Sequence, residues 1–139
     1  MNAIHPVYDL LIDSDAFVGW ALETDPHHQR ATMLFEQAQK SNQRLVTHNF
    51  VVAETATVLS HRSGQAVACD FLDAVRKIPQ LYVSEDLFLK ALSIFRTQEN
   101  KNTSFVDCLN VIVMKYLSIP RLLSFDQFYR KKFDLKLAA

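Results

Sequence analysis

Four acidic residues stand where a folded chain does not ordinarily leave a carboxylate. The apolar run Leu10-Leu11-Ile12 ends in Asp13-Ser14-Asp15, and the segment "RLLSF" (121–125) runs straight into Asp126. Both apolar segments read as strands, and in open α/β sheets ligands bind beyond the carboxyl ends of strands. Taken singly, each aspartate also suits a helix N-cap. Glu54 is harder to explain that way. On a helix, Phe50, Val51, Glu54 and Val58 fall within about 100° of one another, which puts Glu54 on an apolar stripe. Asp107 opens a helix that is apolar nearly all round (Phe105, Val106, Leu109, Val111, Ile112, Val113, Met114), although Ser104-x-x-Asp107 also matches a capping box.

A buried, unpaired carboxylate costs several kcal/mol. An ion pair or a hydrogen-bond network could compensate Glu54, and capping could explain Asp107. Neither explains all four acids. If Asp13, Glu54, Asp107 and Asp126 converge, they repel one another and need cations to remain ionised. Mg²⁺ or Mn²⁺ suits such a set of hard oxygen ligands. These ions leave positions open for phosphate oxygens and activate water. Zinc is disfavoured: no HExxH occurs, and His27 and His28 begin a surface helix.

The elements that must position these acids follow from periodicity and punctuation. Strands are expected at 7–12, 44–48, 81–84 and 121–125, with "FDLKL" (133–137) as a final edge strand. Helices are expected at 16–22, across "TDPHHQRATMLFEQAQK" with Asp25 capping and Pro26 in the first position, across "NFVVAETATVLSHR" up to Gly64, and at 66–77, 86–97 and 104–117. A helical turn is expected at 126–132. Strands alternating with helices imply a mainly parallel sheet covered on both faces, a three-layer α/β/α sandwich.

The chain has 139 residues, enough for one domain spanning 1–139 that buries roughly 70% of its unfolded surface without disulfide or structural metal. Fifteen basic residues balance fifteen acidic ones, which argues against a general nucleic-acid coat protein but not against local basic patches. With two glycines and no GxGxxG or GxxxxGK[ST], a dinucleotide or P-loop site is disfavoured. Cys69 and Cys108 have no zinc or CxxC spacing and read as buried, reduced thiols. They fit a cytoplasmic location, as does the lack of a signal-peptide pattern. No stretch is long and apolar enough to suggest a membrane span.

In order and spacing, "IDSDAF", "DPHHQRA", "VVAETATVL", "SFVDCLNVIVM" and "LLSFDQFY" resemble PIN domains, and more narrowly VapC-type toxins of toxin–antitoxin pairs. The resemblance implies a metal-dependent endoribonuclease with Asp13, Glu54, Asp107 and Asp126 as its acidic quartet. Ser14 occupies the usual Ser/Thr place after the first aspartate, and Ser124 the usual polar place before the last. Asp15 stands where many members carry a small polar residue. Asn110 lies one helical turn after Asp107, where some members have a further acid; a weaker metal site or fewer ligands would follow. The resemblance also implies an RNA substrate, a cognate antitoxin and a homodimer.

RNA cleavage needs a water or hydroxyl activated toward phosphorus and charge stabilisation on the phosphoryl oxygens, and two cations held by carboxylates can supply both. Asp13 and Asp107 are expected to hold the tighter one, Glu54 to share it or orient the attacking water, and Asp126 to complete the cluster or hold a second ion. Phosphate contacts are expected from Arg121, Arg130, Lys131, Lys132 and Lys136. Two other readings start from the same residues. "LLIDSDAF" also resembles the DxDx motif of haloacid-dehalogenase-type phosphatases, but Ala16-Phe17 stands where those enzymes usually have Gly-Thr. A non-catalytic PIN-like binding module is the third reading, against which the retention of all four acids argues.

Overall fold

The computed structural model describes residues 8–99, 102–133 and 135–138. The chain runs β1 (Leu10–Ile12), α1 (Ser14–Ala21), α2 (His28–Lys40), β2 (Leu45–His48), α3 (Asn49–Ser63), α4 (Gln65–Val75), β3 (Gln80–Leu81), α5 (Glu85–Arg96), α6 (Phe105–Leu117), β4 (Arg121–Leu123) and α7 (Phe128–Phe133). The four strands form a wholly parallel sheet in the order β3-β2-β1-β4. The chain leaves β1 toward β2 and β3, then returns to the other flank of β1 as β4. The gap beyond the carboxyl ends of β1 and β4 is therefore the topological switch point, where open α/β sheets bind ligands.

Strand side chains alternate between faces, and this divides the core into two layers. Leu10, Ile12 and Leu123 pack with Phe17, Val51, Leu59, Ala68 and Phe71 beneath α1–α4. Leu11, Val46 and Leu122 pack on the opposite face with Val111, Val113, Met114 and Tyr129 from α6 and α7. Helix α5 completes that side through Ala91 against Cys108 and Leu109. Gly19 permits the close approach of α1 and α2: a Cβ there would lie 3.2 Å from Ala31 Cβ and 3.3 Å from His27 Cβ.

Several boundaries differ from those read from sequence. Helix α1 begins at Ser14 rather than residue 16, because Asp13 caps it. Helix α2 begins at His28, two residues beyond Pro26. Asp25 instead shapes the preceding turn, accepting from His27 N at 2.9 Å, and pairs with Arg62 at 2.7 Å. The expected last strand shrinks to one parallel bridge between Leu122 and Leu137, and residues 7 and 134 of the expected strands lie outside the described residues. Cys69 is exposed, contrary to expectation, because α4 turns Ala68, Phe71 and Val75 inward. Cys108 is buried as expected.

Candidate active site

Three strands end in a polar residue beyond or at their carboxyl edge: β1 in Asp13, β2 in His48 and β4 in Ser124. All three are buried. Asp13, only 5% exposed, accepts four hydrogen bonds. Ser14 N (2.8 Å) and Asn110 Nδ2 (2.9 Å) donate to its Oδ1, while Ser124 Oγ and Tyr129 Oη, each at 3.0 Å, donate to its Oδ2. Burial, opposed by these bonds and reinforced by the Asp107 charge, pushes the Asp13 carboxyl up to about 6.

The direction of the network follows from one backbone amide. Val51 N–H donates to His48 Nδ1 at 3.3 Å, so the proton of the neutral ring sits on Nε2. That nitrogen lies 2.7 Å from Asn110 Oδ1 and donates to it. The amide of Asn110 is thereby oriented, and its two N–H bonds go to Asp13 Oδ1 and to the Tyr129 hydroxyl, both at 2.9 Å. Burial drives the His48 imidazole down to about 4, which keeps it neutral in this role.

Asp107 reaches the network through Tyr129. Its Oδ1 lies 2.8 Å from the tyrosine hydroxyl, and its Oδ2 closes the capping box by accepting from Ser104 N at 2.9 Å. The capping-box reading of Asp107 is thus correct, yet the second oxygen remains directed at the cluster. Glu54 joins from α3, accepting from Ser14 Oγ at 2.7 Å. It is half-buried at the edge of a stripe made by Val51, Val52, Thr55 and Leu59. This shifts the expected stripe: Thr55 enters the core because its hydroxyl donates to Val51 O at 2.7 Å.

Asp15 and Asp126 meet at Ser124. Asp15 Oδ2 accepts from Phe125 N at 2.9 Å and from Ser124 Oγ at 3.2 Å, and Asp126 N donates to Ser124 Oγ at 3.2 Å. Asp126 is exposed, unlike Asp13. The other Asp15 oxygen, Oδ1, is buried with no hydrogen-bond partner among the described residues. Burial first, and the Asp13 charge second, push the Asp15 carboxyl up to about 7.

The expected basic group does not lie on one side of the sheet. Arg121 is the first residue of β4, paired with Leu10, and therefore stands at the strand end opposite Ser124. Arg130 and Lys131 are exposed on α7, Lys136 is exposed beyond it, and the side chain of Lys132 lies outside the described residues. Beside Ser14, Asp15 and Glu54 opens a pocket of about 270 Å³, whose far wall is Val18, Val58 and the Asp25–Arg62 pair. His27 borders it and stacks on Phe125, with ring centroids 4.3 Å apart and planes 9° from parallel.

His48 and Tyr129 were not picked out from sequence. His48 carried the same signal as Asp13, a polar residue between an apolar strand and a helix. Tyr129 carried none, since its ring reads as core and only the fold brings its hydroxyl to the aspartates.

The sequence from residue 10 to residue 133 matches the PIN domain family model. This chain belongs to the PIN domain family. Among solved structures it is similar to VapC20 of Mycobacterium tuberculosis, described as a sarcin–ricin loop cleaving toxin, with 22% identity, a TM-score of 0.79, and coverage of 90% of this chain and 95% of that one. No curated protein sequence matches the chain. The phosphatase resemblance is thereby corrected: it rested on one octapeptide, whereas the PIN match spans both layers of the sandwich. Among the described residues no helix is long and apolar enough to cross a membrane.

Among the described residues no three His, Cys, Asp or Glu side chains gather closely enough to hold a metal ion as they stand. The donor chemistry nevertheless suits a hard divalent cation. Asp13 and Asp107 share one hydroxyl, buried carboxyls are held above their ordinary range, and a buried Asp15 oxygen has no described partner.

Proposed function

We propose that this chain is a metal-dependent endoribonuclease and the toxin of a toxin–antitoxin pair. The observation that carries the reading is the pairing of two carboxylates, Asp13 and Asp107, across the Tyr129 hydroxyl at the switch point of the sheet. PIN membership and the likeness to a toxin described as cleaving the sarcin–ricin loop support it.

A bound Mg²⁺ or Mn²⁺ would supply a polarised water and charge neutralisation at phosphorus. Asp13 and Asp107 would hold it, with Glu54 sharing it or orienting the attacking water and Asp126 completing the cluster or holding a second ion. Ser14 fixes the Glu54 carboxylate, and Asn110, itself oriented by His48, fixes Oδ1 of Asp13. Ser124 holds Asp13 and Asp15 at one oxygen each and binds the backbone of Asp126. The burial that raises the Asp13 carboxyl also excludes water from it, so its charge acts at short range in a weakly screened setting.

The RNA strand would follow the exposed Arg130 and Lys131 along α7. A nucleobase next to the scissile phosphate suits the pocket beside Glu54, where Asp15 and Glu54 disfavour phosphate, Arg62 being taken by Asp25, and the His27–Phe125 stack offers an aromatic face. The antitoxin would cover apolar surface, for which two grooves sharing Trp20 and Ala74, of about 790 and 450 Å³, provide room, and would present a basic side chain to the acids. Such a toxin would act in the cytoplasm and pair as a homodimer.

The test is growth inhibition in a heterologous host by the wild type and by Asp13→Asn, Glu54→Gln and Asp107→Asn. Each variant is expected to remain folded, by circular dichroism, and to lose toxicity. Near wild-type toxicity in two of the three removes the acids from the mechanism and leaves a binding module.

A further inference from the structure

The hydrogen bonds around Asp13 are of two kinds. Those to Oδ1 come from donors that cannot turn: a backbone N–H, and an amide held by His48. Those to Oδ2 come from two hydroxyls, each with one proton and a second acceptor within reach. Tyr129 lies 3.0 Å from Asp13 Oδ2 and 2.8 Å from Asp107 Oδ1; Ser124 lies 3.0 Å from Asp13 Oδ2 and 3.2 Å from Asp15 Oδ2. Each hydroxyl also accepts from a neighbouring N–H, Tyr129 from Asn110 and Ser124 from Asp126, so its own proton must go to a carboxylate.

A carboxylate offers about four lone-pair sites; Asp13 has a donor within reach of each, but the two on Oδ2 are shared with Asp15 and Asp107. Asp107 shows the same division: Oδ2 is fixed by Ser104 N–H, while Oδ1 meets only the Tyr129 hydroxyl among the hydrogen bonds described. The two switchable oxygens, Asp13 Oδ2 and Asp107 Oδ1, therefore face a single buried hydroxyl that is 0% exposed as a residue.

We propose that the Tyr129 hydroxyl stands in for the cation in the metal-free chain, bridging Asp13 and Asp107, and that a divalent cation must displace this bridge to reach the two carboxylates. The inference rests on the metal-dependent reading of the site and adds a positioning residue to it. Asp13 Oδ2 is the oxygen offered to the cation, since Oδ1 cannot be released without breaking the Asn110–His48 lock. The bridge can be given up without breaking the Asn110–His48 lock on Asp13 or the Ser104 cap on Asp107. It also accounts for three acids not meeting at one point: the hydroxyl holds the place between two of them.

The experiment compares the full-length wild type, Tyr129→Phe and Ser124→Ala by Mn²⁺ titration calorimetry and by thermal melts in chelator and in excess Mn²⁺. Removing the bridge exposes the two carboxylates to each other. Tyr129→Phe should melt lower than wild type in chelator, gain more from Mn²⁺, and bind Mn²⁺ about three- to tenfold more tightly, the scale of part of one charge-assisted hydrogen bond. Ser124→Ala should shift Mn²⁺ affinity in the same direction by a smaller factor, and decides the matter if Tyr129→Phe does not fold. A merely structural hydroxyl would lower melting equally with and without Mn²⁺. Unchanged or weaker Mn²⁺ binding by the variants overturns the proposal. Failure of the wild type to bind Mn²⁺ overturns the metal-dependent reading itself, and the stand-in with it.

Discussion

Asn110 Nδ2 donates to Asp13 Oδ1 at 2.9 Å, joining residues 97 positions apart, and the amide can do so only because His48 fills its oxygen. An acid at residue 110 would offer an oxygen where Asp13 needs a donor. Asn110→Asp is therefore expected to destabilise the metal-free chain by about 2–4 kcal/mol, the scale of a broken buried polar pair. Excess Mn²⁺ should recover part of the loss by binding the added carboxylate. Urea melts in chelator and in Mn²⁺ check both halves.

Asp13→Asn has the opposite sign. An asparagine amide can keep Oδ1 toward Ser14 N–H and Asn110, and point its N–H₂ at Ser124 and Tyr129. Those hydroxyls then donate to Asp15 and Asp107, so every bond is kept while a repelling charge is lost. The variant should melt higher than wild type in chelator, by about 3 °C or more for a gain near 1 kcal/mol, and should gain little from Mn²⁺. If the carboxylate's hydrogen bonds outweigh its repulsion, the variant would instead melt lower, since bonds to a charged group are stronger than those to an amide. Scanning calorimetry of the two proteins separates the outcomes.

Much of this arrangement was legible in the chain before its fold was known. Asp13 betrayed itself by ending an apolar strand, and Ser104 with Asp107 by the spacing of a capping box. The alternation of Leu10, Leu11 and Ile12 between two helical layers follows from their apolar run and the β-α alternation around it. What stayed hidden was long-range. Tyr129 lies 116 positions from Asp13, and no local pattern distinguishes its hydroxyl from a core ring. Arg121 was misplaced for a related reason: composition groups it with Arg130 and Lys131, but strand direction sends it to the other edge of the sheet. The start of α2 lies two residues beyond Pro26, with one Asp25 oxygen on the His27 N–H of the preceding turn and the other on Arg62, 37 positions away.

The acidic cluster also sets a pH dependence in the absence of metal. Asp15, pushed from its ordinary 3.8 to about 7, binds its proton more tightly folded than unfolded; its contribution to stability is whole below about 3.8 and is lost as pH rises through about 7. Asp13 behaves likewise up to about 6. His48, depressed from 6.5 to about 4, works the other way: its contribution is whole above 6.5 and is lost as pH falls through about 4. The wild-type profile mixes these opposing slopes, so the difference between two proteins is the clean quantity. Relative to wild type, Asp15→Asn should gain stability steadily from pH 4 to 7 in chelator. Denaturant midpoints at three pH values across that range check it, and a constant offset would show that Asp15 does not titrate there.

Ser14→Ala removes the hydroxyl that holds Glu54 Oε2 at 2.7 Å while leaving the carboxylate in place. Loss of such an orienting bond typically costs 10–100-fold in activity or metal affinity at a metal site. The expected result is RNA cleavage reduced by about tenfold with an unaltered melting temperature in chelator, measured on a labelled RNA under single-turnover conditions.

The central claim is that paired carboxylates and a divalent cation cleave RNA here. The most direct measurement incubates purified wild type and Asp107→Asn with the same RNA, in Mn²⁺ and in chelator, and follows the appearance of 5′ and 3′ fragments. Cleavage by the wild type in Mn²⁺ alone, with none by Asp107→Asn under either condition, is the predicted result. Equal cleavage by Asp107→Asn, or cleavage by the wild type that persists in chelator, would contradict it.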